Sequence, residues 1–215
     1  ASLALLRRVA DGRKGYMLIG EPADGGREML MVNFTDQPLA FGEWSTDARV
    51  AFVGTRAGRI RRFYLAGGTA VEGPGVSIRS ESPSLLAYRE VREGLAHFAN
   101  QEGQAASVEI SGLTAPETVY ALNRDGARAD AVEAEVSAGT VRFRLAARSD
   151  YELVRGEQPT VAEHEQAIRR RKARAMIERE RQQIERARQE LASRRQKAKA
   201  SGMPRDHHIL IQAED

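Results

Sequence analysis

The stretch Val132-Glu133-Ala134-Glu135-Val136-Ser137-Ala138-Gly139-Thr140-Val141-Arg142-Phe143-Arg144-Leu145 decides how the larger part of this chain folds. Apolar residues alternate with glutamates before Ala138-Gly139 and with arginines after it. Successive strand side chains point to opposite faces, so a period of two means a pair of strands, each with one buried and one wet face. Val132, Ala134 and Val136 are therefore expected inside, with Val141, Phe143 and Leu145. The opposed Glu and Arg series predict a cross-strand charge ladder, worth tenths of a kcal/mol to about 1 kcal/mol per pair. Such a ladder stabilises a hairpin and implies no function.

The same pattern runs upstream. Leu85 to Val91, Leu95 to Ala99, Ala106 to Ser111 and Thr118 to Leu122 read as short strands. Val50 to Val53 and Ile60 to Leu65 bracket Arg56-Ala57-Gly58 as a hairpin, with Arg49, Arg59 and Arg61 spaced for the solvent side. Leu3 to Val9 and Tyr16 to Gly20 flank Asp11-Gly12 as another. Met29 to Phe34 is apolar almost throughout, as a strand buried on both faces would be, and Leu39, Phe41 and Trp44 form an apolar cluster after Pro38. Gly67-Gly68 and Gly73-Pro74-Gly75 break the chain before Val76 to Ser80. Nothing between these segments is long enough for a helical crossover, so the expectation is an antiparallel β-sandwich. Residues 1–83 form one strand set and residues 84–158 a second, in the same sandwich or in a consecutive one.

Downstream, the character changes at Pro159. Thr160 followed by Glu163 reads as a capping box, and Ser201-Gly202 with Pro204 as a stop, predicting one long charged α-helix over 160–200 and a tail over 201–215. At 1.5 Å per residue it reaches about 60 Å. Ile177, Ile184 and Leu191 recur every seven residues, but the positions three further on hold Glu180, Ala187 and Arg194. Half of a coiled-coil seam is present. Glu165 with Arg169 and Glu190 with Arg194 are favourable i,i+4 pairs.

Composition agrees with this division. Residues 161–200 carry 13 Lys and Arg against 6 acids, leaving 19 bases and 21 acids before Val161. The pI of 9.4 thus belongs to the helix, and a nearly neutral body disfavours nucleic acid as its partner. Mean hydropathy is −0.49, so much of the length is solvated. The absence of cysteine removes disulfides and thiolate chemistry without fixing a compartment. No segment approaches a membrane span, and the start at Ala1 in a strand-like run predicts a preceding stretch of polypeptide.

The segments Ala48-Arg-Val-Ala-Phe-Val and Arg59-Ile-Arg-Arg-Phe-Tyr-Leu-Ala-Gly-Gly-Thr resemble the C-terminal β-domain of heparinase II/III-like polysaccharide lyases. Val119-Tyr-Ala-Leu-Asn-Arg-Asp-Gly, Gly139-Thr-Val-Arg-Phe-Arg-Leu and Asp150-Tyr-Glu-Leu-Val are similar to the closing strands of the sandwich that ends many such enzymes. The resemblance covers about residues 1 to 155 and rests on strand-and-turn texture. It implies β-elimination of uronic-acid polymers by an upstream helical toroid, a Tyr or His base, and a periplasmic or secreted location. The toroid is not in this sequence. The family's β-domain sometimes holds a His-rich metal site, whereas His97, His164 and His207-His208 are spaced for no cluster. No catalytic residue, metal ligand or cofactor is therefore carried over.

Single residues have bland and sharp readings. His97 lies between Leu95 and Ala99 as a structural histidine before a base or ligand. Trp44 is the one candidate for sugar stacking, although a lone Trp more often plugs a core. Tyr16, Tyr64 and Tyr88 suit strand packing. Asn33-Phe34-Thr35 matches a glycosylation acceptor inside an apolar strand, where a glycan does not fit. On the helix, Ile177, Ile184 and Leu191 offer a contact stripe to the body, a partner chain or a second copy, and Arg169, Arg170, Arg171 and Lys172 a patch for a polyanion such as an acidic polysaccharide. Arginine runs on exposed helices are usually only solvated. Ile209-Leu-Ile-Gln is expected to be strand-like and suited to a sheet edge.

Two functions follow. One is the non-catalytic C-terminal sandwich of a polysaccharide-degrading enzyme, a lyase in particular. The other is a non-enzymatic interaction or scaffold protein that works through its helix.

Overall fold

The computed structural model describes residues 3–11, 14–22, 25–137 and 139–200. Gly12 of the first turn, Ala138 of the last, the predicted helix stop, His207-His208 and the strand-like Ile209 segment lie outside the described residues. Among the described residues fifteen strands precede one helix: β1 Leu3–Asp11, β2 Gly15–Pro22, β3 Gly26–Asn33, β4 Leu39–Phe41, β5 Trp44–Thr46, β6 Val50–Arg56, β7 Arg59–Gly73, β8 Val76–Arg92, β9 Leu95–Asn100, β10 Ala106–Ser111, β11 Thr118–Leu122, β12 Arg128–Val132, β13 Ala134–Ser137, β14 Thr140–Leu145, β15 Ser149–Val154 and α1 Val161–Ala200. The protein is mostly β, as the alternation predicts. The chain divides into two units, residues 1–164 and 165–215, so the first turn of α1 belongs with the strands.

Among the described residues the strand pairings are antiparallel, and two long strands organise them. The hairpin β7–β8 bends along its length. Its half near Phe63 and Tyr88 runs with β6 and β9, continuing to β3, β2 and β1 on one side and to β15, β11 and β12 on the other. Its half near Val71 and Ile78 runs with β5 and β10, and β10 continues through β14 to β13. The register slips between Ala66 and Ala70 mark the bend. Gly68 sits there because a Cβ would lie 2.2 Å from the Ala48 backbone. Gly67-Gly68 and Ser82-Pro83 are thus bends inside long strands where the sequence reads as broken, and β8 crosses residues 83 and 84 without interruption.

The two layers meet through aromatic rings. Phe98 of β9 packs edge-on against Phe143 of β14 at 5.5 Å and against Phe63 at 5.8 Å, while Phe63 stacks on Tyr88 at 5.4 Å. Tyr151 packs on Phe143 at 5.6 Å and takes the Ala146 amide on its hydroxyl at 2.5 Å. Burial of Phe98, Leu65, Ile78, Ile110 and Leu145 around these rings makes the main core of the unit. The path from β8 through β10, β14 and β13, over Glu133 to β12, then through β11, β15 and β9, returns to β8.

Two local expectations change. Val132 to Val136 is not one strand: it is interrupted at Glu133 between β12 and β13, and Val136, though opposite Val141, is 41% exposed on the outermost strand. Met29 to Phe34 is buried on one face only, through Met29, Met31 and Asn33, with Phe34 exposed beyond it. Asn33 is fully engaged, giving its amide to the Gln37 and Thr46 carbonyls and accepting the Thr35 amide. Asn100 repeats that arrangement with Gln104, Ala146 and Glu102, so two buried asparagines turn two corners the same way.

Candidate functional site

The residues singled out from sequence come to rest apart from one another. Trp44 is 7% exposed and lies so close over Gly73 that a Cβ there would meet the indole at 2.4 Å. It fills the core and presents no ring to a sugar. His97 places Nε2 3.2 Å from Asp150 Oδ1 at the surface. Among those residues no group of His, Asp and Glu is arranged to hold a metal ion, and no helix is long and apolar enough to cross a membrane.

Ionisable groups converge instead where the strands hand over to the helix. Strand β15 pairs with both β9 and β11, which places Glu152 in the middle of a layer with no exposed surface. Its Oε2 accepts from Arg128 Nε at 2.7 Å, and its Oε1 accepts from the Val161 backbone amide at 2.6 Å. Arg128 then donates to the Gln158 and Pro159 carbonyls, each at 3.0 Å, and lies 5.2 Å over the Tyr120 ring. A buried carboxylate thus caps the first free amide of the helix, where negative charge is favourable. The capping box reinforces it: the Glu163 amide donates to the Thr160 hydroxyl at 3.1 Å and the Thr160 amide to Glu163 Oε2 at 2.8 Å. The Thr160 amide and hydroxyl both donate to Oε2 and so hold the Glu163 carboxyl below its ordinary range. Val161 packs on Leu95 and Val154 in a small apolar cluster of its own. The sequence shows the box but not Glu152 or Arg128, which are 24 residues apart and meet only through strand register.

A second convergence has the chemistry of a site without the room. Tyr88, Glu90 and Arg155 line a cavity of about 10 Å³ beside Thr114 and Leu153. That volume admits one water. Glu90 has a side chain 2% exposed, 2.9 Å from Arg61 Nη1, but neither carboxylate oxygen has an aligned hydrogen bond. Burial pushes its carboxyl up, with Arg61 opposing. Burial and the neighbouring Glu90 charge push the Tyr88 hydroxyl above its ordinary range as well, which makes it a poorer base at neutral pH.

The outer face of the second layer carries the charge ladder, extended beyond its sequence reading. Register sets Arg79 beside Glu109, Glu109 beside Arg142 and Arg142 beside Glu135. Arg142 pairs closely with Glu109 and sits 3.7 Å from Glu135, while Arg79 pairs with Glu72 at 2.5 Å. An open depression of about 470 Å³ runs over Arg79, Glu81, Ser107 and Arg142. Alternating signs cancel across it, so it selects no charge.

In the second unit, Arg169, Arg170, Arg171 and Lys172 are exposed, as are Ile177 (48%), Ile184 (55%) and Leu191 (57%). Glu190 and Arg194 form the expected pair at 2.7 Å. No protein-family model matches the chain, and no curated protein sequence matches it.

Proposed function

We propose that the β unit is the non-catalytic C-terminal sandwich portion of a secreted or periplasmic polysaccharide-degrading enzyme, specifically a lyase that cleaves uronic-acid polymers by β-elimination. The observation that carries this reading is how its buried charge is used. Glu152 and Arg128 are committed to fastening the start of the helix, and Tyr88 and Glu90 face a space for one water. Elimination needs a base near its working pH beside a bound sugar and cationic relief of the carboxylate. The strands resembling the lyase β-domain, β6 with β7 and β11 with β14 and β15, contribute Phe63, Phe143 and Tyr151 to the core that joins the layers. The test is to incubate the chain with a panel of uronic-acid polymers and follow ultraviolet-absorbing unsaturated products alongside retention on the immobilised polymers. Binding without turnover is expected. Turnover overturns the non-catalytic assignment.

A second reading, an interaction protein that works through its helix, is favoured by the exposed row Ile177, Ile184 and Leu191. Retention on no polymer at all would favour it over the first.

A further inference from the structure

Set out in sevens from Arg174, α1 reads Arg-Ala-Met-Ile-Glu-Arg-Glu, Arg-Gln-Gln-Ile-Glu-Arg-Ala, Arg-Gln-Glu-Leu-Ala-Ser-Arg, then Arg195. Arg174, Arg181, Arg188 and Arg195 therefore recur with the period of Ile177, Ile184 and Leu191, each three residues ahead of an apolar one. At 3.6 residues per turn the two rows run side by side for about 30 Å. All seven residues are exposed. The arginine row is uncompensated: among the described residues none of the four meets a carboxylate. Glu178 and Glu185, one turn beyond Arg174 and Arg181, accept from Gln182 and Gln189 instead, at 3.3 and 3.5 Å.

A second copy of the chain fits this face badly. With the apolar row as the first core position of a parallel pair, the other core position brings Glu180 against Glu180 and Arg194 against Arg194. With the apolar row as the second core position, the first becomes arginine in every layer. An antiparallel pair lays the arginine row along its own copy. Every homotypic register thus sets like charges together, which is unfavourable at close range. An acidic polysaccharide would satisfy the arginines but offers no apolar surface to cover the isoleucines, and apolar burial supplies most of the driving force for association.

We propose that this face docks a helix of another polypeptide, one carrying aliphatic residues at seven-residue spacing and flanked by Asp or Glu. The aliphatic side chains cover the isoleucine row, and the acids pair with the arginine row. Flanking charge of this kind sets partner choice in paired helices. The proposal rests on the second reading above, that the helix is a contact surface.

The test uses the full chain and a synthetic peptide of about four heptads with Ile and Leu in its core and Glu on its flanks, followed by calorimetry. One-to-one binding that weakens as salt rises is expected. Arg181→Glu with Arg188→Glu should weaken it by about tenfold or more and create binding to a lysine-flanked version of the same peptide. That exchange also shows that the variant helix remains intact. Ile184→Asp should abolish binding to both. Failure of the glutamate peptide to bind, or a self-associated chain dispersed by Ile184→Asp, overturns the proposal. If a sulfated polysaccharide binds the chain and the peptide does not, the partner assignment fails while the contact reading survives. If neither binds, both fail.

Discussion

Glu152 and Glu90 are the same residue type, both on strands of one unit and both with side chains out of water, at 0% and 2% exposure. Glu152 meets Arg128 and the Val161 amide, so each of its oxygens has an aligned donor. Glu90 has Arg61 nearby and no aligned donor on either oxygen. Burial alone therefore does not decide what a carboxylate does. A buried charge whose partners are complete acts as a fastening, whereas one whose partners are incomplete opposes folding when ionised.

The contrast is broken most directly by removing the carboxylates one at a time. Glu152→Ala strands Arg128 and the first helical amide together, and should cost about 3–5 kcal/mol. Denaturant unfolding followed by the fluorescence of Trp44, the single and buried Trp, measures it. Glu90→Gln should act in the opposite direction, stabilising the unit by about 1–2 kcal/mol at neutral pH. The pH dependence fixes the cause. Because the folded carboxyl of Glu90 is raised above its ordinary value of 4.5, its ionisation penalises the folded state. The penalty is absent below that ordinary value, grows as pH rises toward the raised one and is constant above it. The gain from Glu90→Gln should therefore fade on acidification. Equal gains in acid and at neutrality, or losses from both substitutions, would remove the distinction between the two glutamates.

How much of this was legible in sequence depended on distance along the chain. Strand existence followed from local alternation, and β10 Ala106–Ser111 and β11 Thr118–Leu122 match the sequence reading residue for residue. The long strands β7 and β8 were not legible, because Gly67-Gly68 and Ser82-Pro83 carry the same signal whether a strand ends or bends. Val136 misled because alternation shows which residues share a face, not whether another layer covers that face. The capping box was legible because its members are three residues apart. The Glu152–Arg128 pair was not, since it exists only through the register of β15, β11 and β12. Asn33 with Gln37 and Asn100 with Gln104 share a spacing, but two such pairs in 215 residues are not distinctive until their hydrogen bonds are seen to repeat.

A carboxylate at the edge of water lies between the two cases. Glu163 and Thr160 cap the same helix end as Glu152 but from an exposed position. Thr160→Ala should cost about 1 kcal/mol, read as faster amide exchange at Val161–His164 with the strand amides unchanged. With its carboxyl held below the ordinary range, Glu163 contributes above the ordinary carboxylate value. That contribution is lost as pH falls through the lowered value. Protection of the first turn should thus weaken in acid while the Thr160 hydroxyl bond persists. Faster exchange throughout the strands as well would mean that the cap supports the sandwich and not the helix alone.

The comparison is sharpest at its exposed limit. Glu190 has its cation, Arg194 at 2.7 Å, so by partner count it resembles Glu152 more than Glu90. What differs is water. Both side chains are well exposed, at 66% and 74%, so each keeps most of its hydration and the pair gains little over separate solvated charges. Glu190→Gln should cost only about 0.3 kcal/mol of helix stability at low salt and nothing measurable near 1 M salt. Helicity of the full chain measured by circular dichroism, with and without salt, is enough to see it. A loss several times larger that survives salt would mean that Glu190 is shielded from solvent in solution, as it would be if another helix already covered that side of the Ile184 and Leu191 row.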